Sequence, residues 1–179
     1  MKRLCVFVLL AAGLAACGGK ASSTTPTPAP TVPLADPTSE SLGGIALGTD
    51  GATVERLLGA PTERGPVEEE GASGEMLSTW TWPAAGVSLD MAMTGDQAAV
   101  HSISITPPSK LTTSRGVGIG TSRAEVERIY AEHLGRGREP DEPDTTSPEQ
   151  LIIGSIYGGT FFGFHDGKVD SIFVGAGAE

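Results

Sequence analysis

Val117-Gly-Ile-Gly-Thr-Ser-Arg-Ala-Glu-Val-Glu-Arg-Ile-Tyr130 decides how the chain is read, because residues 45–58 repeat it without a gap. Gly48-Thr49 aligns with Gly120-Thr121, Ala52 with Ala124, and Val54-Glu55-Arg56 with Val126-Glu127-Arg128. Self-similarity of this kind sets the frame for every other reading of a sequence. In each copy a glycine ends a short apolar run and turns the chain into a helix. Asp50 suits the N-cap of the first, since its carboxylate can accept from orphan backbone N–H groups. Ser122 and Glu125 fit a capping box in the second. Val54, Leu57 and Leu58 give the first helix one apolar face, and Gly59-Ala-Pro61 stops it. Val126, Ile129, Tyr130, His133 and Leu134 predict a longer, strongly amphipathic second helix, ended by Gly135.

Downstream of each copy the hydrophobic period changes from helix to strand. Residues 62–74 and 136–149, rich in Pro, Gly and acid, read as loops. Trp80 and Trp82 fall on one face of a strand running from Met76 to Trp82. Val87, Leu89, Met91 and Met93 alternate with small or polar residues in a second strand, and Gly95-Asp96 turns it into a third over Val100 to Thr106. After the second copy, strands are predicted over Leu151–Tyr157, Thr160–His165 and Lys168–Val174. Gly158-Gly159 and Asp166-Gly167 supply residues typical of tight hairpin turns. The expectation is an α+β fold of two tandem repeats, residues 41–108 and 109–179. Each is a helix followed by a three-stranded antiparallel meander, with the sheet packed on the helices.

Ahead of the repeats, residues 1–16 read as an export signal: Lys2-Arg3, then an apolar run from Leu4 to Leu14 too short to span a bilayer. Leu14-Ala15-Ala16-Cys17 resembles the lipobox of bacterial lipoproteins. That resemblance implies cleavage before Cys17 and lipidation of its thiol and new amine, diacylglyceryl and palmitate-type chains together anchoring the protein stably. An ordinary secretory signal with an incidental cysteine is the other reading. Cys5 lies in the leader, so no disulfide is expected in the exported fold. Gly18 follows the cysteine where an Asp would favour inner-membrane retention, which points to the periplasmic face of an outer membrane in a Gram-negative envelope. Residues 17–40 are then the lipidated cysteine and a Thr/Pro-rich tether of extended, polyproline-like chain.

Charge and chemistry narrow the function by exclusion. The formal net charge of −10 argues against nucleic acid, whose binding requires clustered Lys and Arg. The membrane is reached through the N-terminal lipid, not by electrostatic adhesion. His101, His133 and His165 are too dispersed for a zinc site. The acidic runs Glu68-Glu69-Glu70 and Asp141-Glu142-Asp144 lack calcium-loop spacing. No nucleophile motif or phosphate-binding glycine loop is present. No catalytic residue, metal or cofactor is therefore expected. Trp80, Trp82, Tyr157 and Phe161, on the first two strands of each meander, form a candidate partner-binding surface; filling the core is the competing role for them.

Twice-repeated Gly-Thr-x-x-Ala-x-Val-Glu followed by a meander resembles the β-lactamase-inhibitor-protein-like fold, which includes outer-membrane assembly lipoproteins of the BamE/SmpA kind. Gly48, Asp50, Val54, Gly59 and Pro61 match in the first unit. Gly120, Ser122, Glu125, Val126 and the Asp166-Gly167-Lys168-Val169 hairpin match in the second. The resemblance implies a non-catalytic cell-envelope lipoprotein, a scaffold or protein-binding module whose partner is another envelope protein. The alternative it implies is an inhibitor or ligand-sequestering protein that inserts loops 62–74 and 136–149 into a target.

Overall fold

A computed structural model describes residues 40–71, 73–136 and 147–177. Among these residues two α-helices, α1 (Gly51–Leu58) and α2 (Arg123–Ile129), accompany eight strands. These are β1 (Glu63–Arg64), β2 (Glu68–Glu69), β3 (Met76–Trp82), β4 (Val87–Thr94), β5 (Gln97–Ile105), β6 (Gln150–Ser155), β7 (Gly158–His165) and β8 (Lys168–Gly175). All belong to one antiparallel sheet in the order β1-β3-β4-β5-β8-β7-β6, with β2 also paired to β3. The expected α+β fold of tandem helix-and-meander repeats is thus corrected: the protein is mostly β. Its helices span only eight and seven residues, and β5 pairs with β8 through Ile103↔Val174, Ser104↔Phe173 and Ile105↔Ile172. Each meander would otherwise leave its third strand as an open edge, and pairing those two edges removes both.

Two rows of side chains run across six strands on one face. Trp82, Val87, Ile105, Ile172, Phe162 and Leu151 form the first; Trp80, Leu89, Ile103, Val174, Thr160 and Ile153 form the second. Every one of these residues is buried. Both helices lie against this face. Gly51 of α1 sits where an added Cβ would be 3.0 Å from the Trp80 ring, and Tyr130, just after α2, packs its ring 5.3 Å from that of Phe162. Val54 and Val126 complete a single core drawn from both halves of the sequence. The one hydroxyl in the two rows, Thr160, has no hydrogen-bond partner among the described residues.

The repeated stretch adopts one local geometry twice. Gly48 and Gly120 both have positive φ, 79° and 88°. Gly48 N–H donates to Val100 O, and Thr49 O accepts from Val100 N–H; Gly120 and Thr121 make the same two bonds with Val169. Asp50 and Ser122 cap the helices, accepting from Thr53 N–H and Glu125 N–H. The Thr53 hydroxyl and N–H hold the Asp50 carboxyl below its ordinary range, as the Arg128 guanidinium does for Glu125.

Three local expectations are corrected. The second helix does not continue to Leu134: it stops at Tyr130 and gives way to turns in which His133 N–H reaches Tyr130 O at 2.8 Å. Residues 62–74 are not simply a loop, since β1 and β2 pair with β3 through Glu63↔Thr81, Arg64↔Trp80, Glu68↔Leu77 and Glu69↔Met76. The β6–β7 turn is Ile156-Tyr157, not Gly158-Gly159, which begin β7. Gly159 is required there: an added Cβ would lie 2.6 Å from Ile153 O across the strand pair.

Candidate functional site, the open face of the sheet

The row between the two buried ones points the other way, because successive side chains on a strand alternate faces. It runs Thr81, Ser88, Ser104, Phe173, Phe161, Ile152, one residue from each of β3, β4, β5, β8, β7 and β6. All six are half-buried. At about 4.8 Å between strands the row extends roughly 24 Å. Its halves differ in chemistry: hydroxyls on one side of the β5–β8 junction, apolar groups on the other. Beside it lies a second row, Thr79, Asp90 and Ser102. Thr79 Oγ1 and Ser102 Oγ each donate to one carboxylate oxygen of Asp90, both at 2.7 Å. Asp90 therefore presents a fixed acceptor, its orientation set from both sides.

At the apolar end, the Phe161 and Phe173 rings meet edge to face with centroids 5.4 Å apart. An added Cβ on Gly177 would lie 2.5 Å from Phe161 Cζ, so the segment after β8 rests against that ring. Tyr157, in the β6–β7 turn, is 60% exposed. These two of the four expected recognition residues belong to the open end of the sheet. The other two do not. Trp80 and Trp82 are 6% and 5% exposed and head the two buried rows, with Trp82 Nε1–H donating to Gly59 O at 3.1 Å. Spacing of two correctly placed them on one face; which face was not legible from a strand that alternates Trp with Thr.

The histidines stand apart. His101 pairs with Glu75, Nδ1 to Oε2 at 3.0 Å. His133 Nε2 lies 3.0 Å from an Arg115 nitrogen, and His165 lies 3.6 Å from the adjacent Asp166 carboxylate. Among the described residues no three His, Cys, Asp or Glu side chains gather as metal ligands. None of the described helices is long and apolar enough to cross a membrane. Cys17, Glu68-Glu69-Glu70 and Asp141-Glu142-Asp144 fare differently: Glu68 and Glu69 lie in β2, whereas Cys17 and residues 141–144 lie outside the described residues.

A residue that sequence reading assigned to the tether belongs to the fold. Glu40 is fully buried. It accepts from Ser114 N–H at 3.1 Å and from the Tyr130 hydroxyl at 3.0 Å, and it pairs with Arg115. No apolar period or spacing marks it, because its partners lie more than seventy residues away. Comparison of the chain with protein-family models, with curated proteins and with solved structures finds no match.

Proposed function

We propose that this chain is a non-catalytic, lipid-anchored module of the cell envelope that binds a protein partner across the open face of its sheet. The observation that carries the reading is the row from Thr81 to Ile152 on the face away from α1 and α2, with hydroxyls and the oriented Asp90 carboxylate at one end and Phe161, flanked by Gly177, with Phe173 and Tyr157 at the other. Such a surface offers what protein interfaces use: apolar anchors beside hydrogen-bonding groups held in place. An antiparallel sheet with α1 and α2 both on the other side leaves this face available to a partner.

Anchorage rests on the Leu14-Ala15-Ala16-Cys17 sequence and the Thr/Pro-rich stretch that separates it from Glu40. Pinning Glu40 in the core fixes where the tether enters the fold. The inhibitor reading draws no comparable support, since its first loop is tied to β3 by β1 and β2. The experiment is chemical crosslinking in cells with the wild-type chain and Ser104→Arg, whose new side chain stands in the middle of the open face. The adduct should fall by about tenfold with thermal stability unchanged; an undiminished adduct rules this face out.

A further inference from the structure

On the opposite face a cleft of about 840 Å³ opens between α1, β1 and the β4–β5 turn. Its floor is Trp80. Gly51 closes on the edge of that ring, where an added Cβ would be 3.0 Å from Cη2. Over the ring lies the Arg64 guanidinium, with Cζ 4.4 Å from the centroid. Arg64 also donates to the Glu55 carboxylate. An aromatic face below and a carboxylate beside it are the two groups that recognise a planar organic cation. Asp50 and Asp96 add two further carboxylates to the walls, and Arg64 is the one cation among the lining residues. The cleft is much larger than a single guanidinium, and its remaining walls combine apolar Val67, Ala92, Met93 and Ala99 with polar Ser78, Thr94 and Gln97.

We propose that this cleft is a binding site for an alkylguanidinium group, and that the Arg64 side chain occupies the cation subsite as a displaceable stand-in. Displacement is feasible because Arg64 is 52% exposed and sits on a two-residue strand. Its backbone pairing to Trp80 does not depend on where its side chain points. An incoming guanidinium would stack on Trp80 and pair with Glu55, leaving Arg64 to extend into water, with the alkyl part of the ligand along Val67 and Met93. A free small molecule and an arginine side chain on a peptide share this chemistry.

The test is isothermal titration of the full-length chain at low ionic strength with ethylguanidinium, with a doubly capped Gly-Arg-Gly tripeptide, and with inorganic phosphate. Arg64→Ala empties the subsite, and Arg64→Gln, which keeps much of the stem, serves if the alanine variant does not hold the wild-type circular dichroism spectrum. Either variant should bind ethylguanidinium about tenfold more tightly than wild type, as loss of a stacked, charge-paired competitor implies. Adding Glu55→Gln should remove that gain. Tightening by the tripeptide as well assigns the site to arginine side chains; tightening by ethylguanidinium alone assigns it to a small molecule. No tightening in either, a gain that survives Glu55→Gln, or stronger binding of phosphate than of ethylguanidinium overturns the proposal.

Discussion

Glu40 and Arg115 form an ion pair that ties the first of the described residues to the segment leading into α2, with the carboxylate fully buried and the guanidinium 20% exposed. Ser114 and Tyr130 donate to the same carboxylate, and the Arg115 guanidinium also lies 5.3 Å over the Tyr130 ring. A buried charge held this way contributes little net stability as a pair but costs much when one partner goes. Arg115→Ala should therefore lower unfolding stability by about 3–5 kcal/mol. Glu40→Gln, which removes the charge but keeps the shape, should cost about 2 kcal/mol. Denaturant melts of the two variants against wild type check the order; equal and small losses would show that the cluster is not buried as described.

Tyr130 supplies a pH signature for that cluster. Burial pushes its phenol well above the usual value; the contact with Thr113 Oγ1 opposes the shift and the Glu40 charge adds to it. A raised value means the folded state keeps the proton longer than the unfolded one. The stabilising contribution is complete below the unfolded value of about 10 and is lost progressively as pH rises above it. Stability measured from pH 8 to 11 should fall in wild type from about pH 10 and fall less in Tyr130→Phe. Parallel curves for the two would remove Tyr130 from the linkage.

Gly86 makes the tightest backbone approach in the first half of the fold. It has φ 61°, and an added Cβ would lie 2.2 Å from Thr106 O and 2.9 Å from Ser109 N. Its carbonyl accepts from Thr106 N–H at 2.9 Å. Gly86→Ala combines left-handed strain with backbone overlap and should destabilise by about 2–4 kcal/mol. A thermal midpoint unchanged from wild type would contradict the strand register at this corner.

Thr160 predicts the opposite sign. Its hydroxyl is buried between Ile153 and Val174 with no partner among the described residues. Thr160→Val replaces an unpaired polar atom with a methyl of the same shape and should raise stability by about 1 kcal/mol. A loss of stability would mean that the hydroxyl has a partner.

The anchor is tested separately. Cys17→Ser removes the thiol that lipidation requires, and the protein should move from the membrane to the soluble fraction of lysed cells. Retention in the membrane fraction would contradict the lipobox reading.

What could be read in the sequence follows the range of the interactions involved. β3 and β4 were legible because one face of each is buried and the other is not, so side-chain type alternates. Asp50 and Ser122 were legible as caps because their partners are three residues away. β1 and β2 carry no such signal: each is two residues long, exposed on both faces and paired to β3 through the backbone. The Val126–Leu134 stripe promised a longer helix, yet Leu134 is exposed and only Val126 of α2 is buried. Glu40, the joining of β5 to β8 and the burial of both tryptophans depend on residues far apart in the chain. No local pattern encodes them.

The central claim, that a partner occupies the open face, is tested most directly by photocrosslinking in cells. A photoreactive amino acid would be placed singly at Thr81, Ser88 and Ser104 on that face, and at Glu132 and Arg128 on the helical side. A common adduct from the first three positions and none from the last two is the predicted result. Adducts from the helical positions alone, or from neither set, would contradict the account.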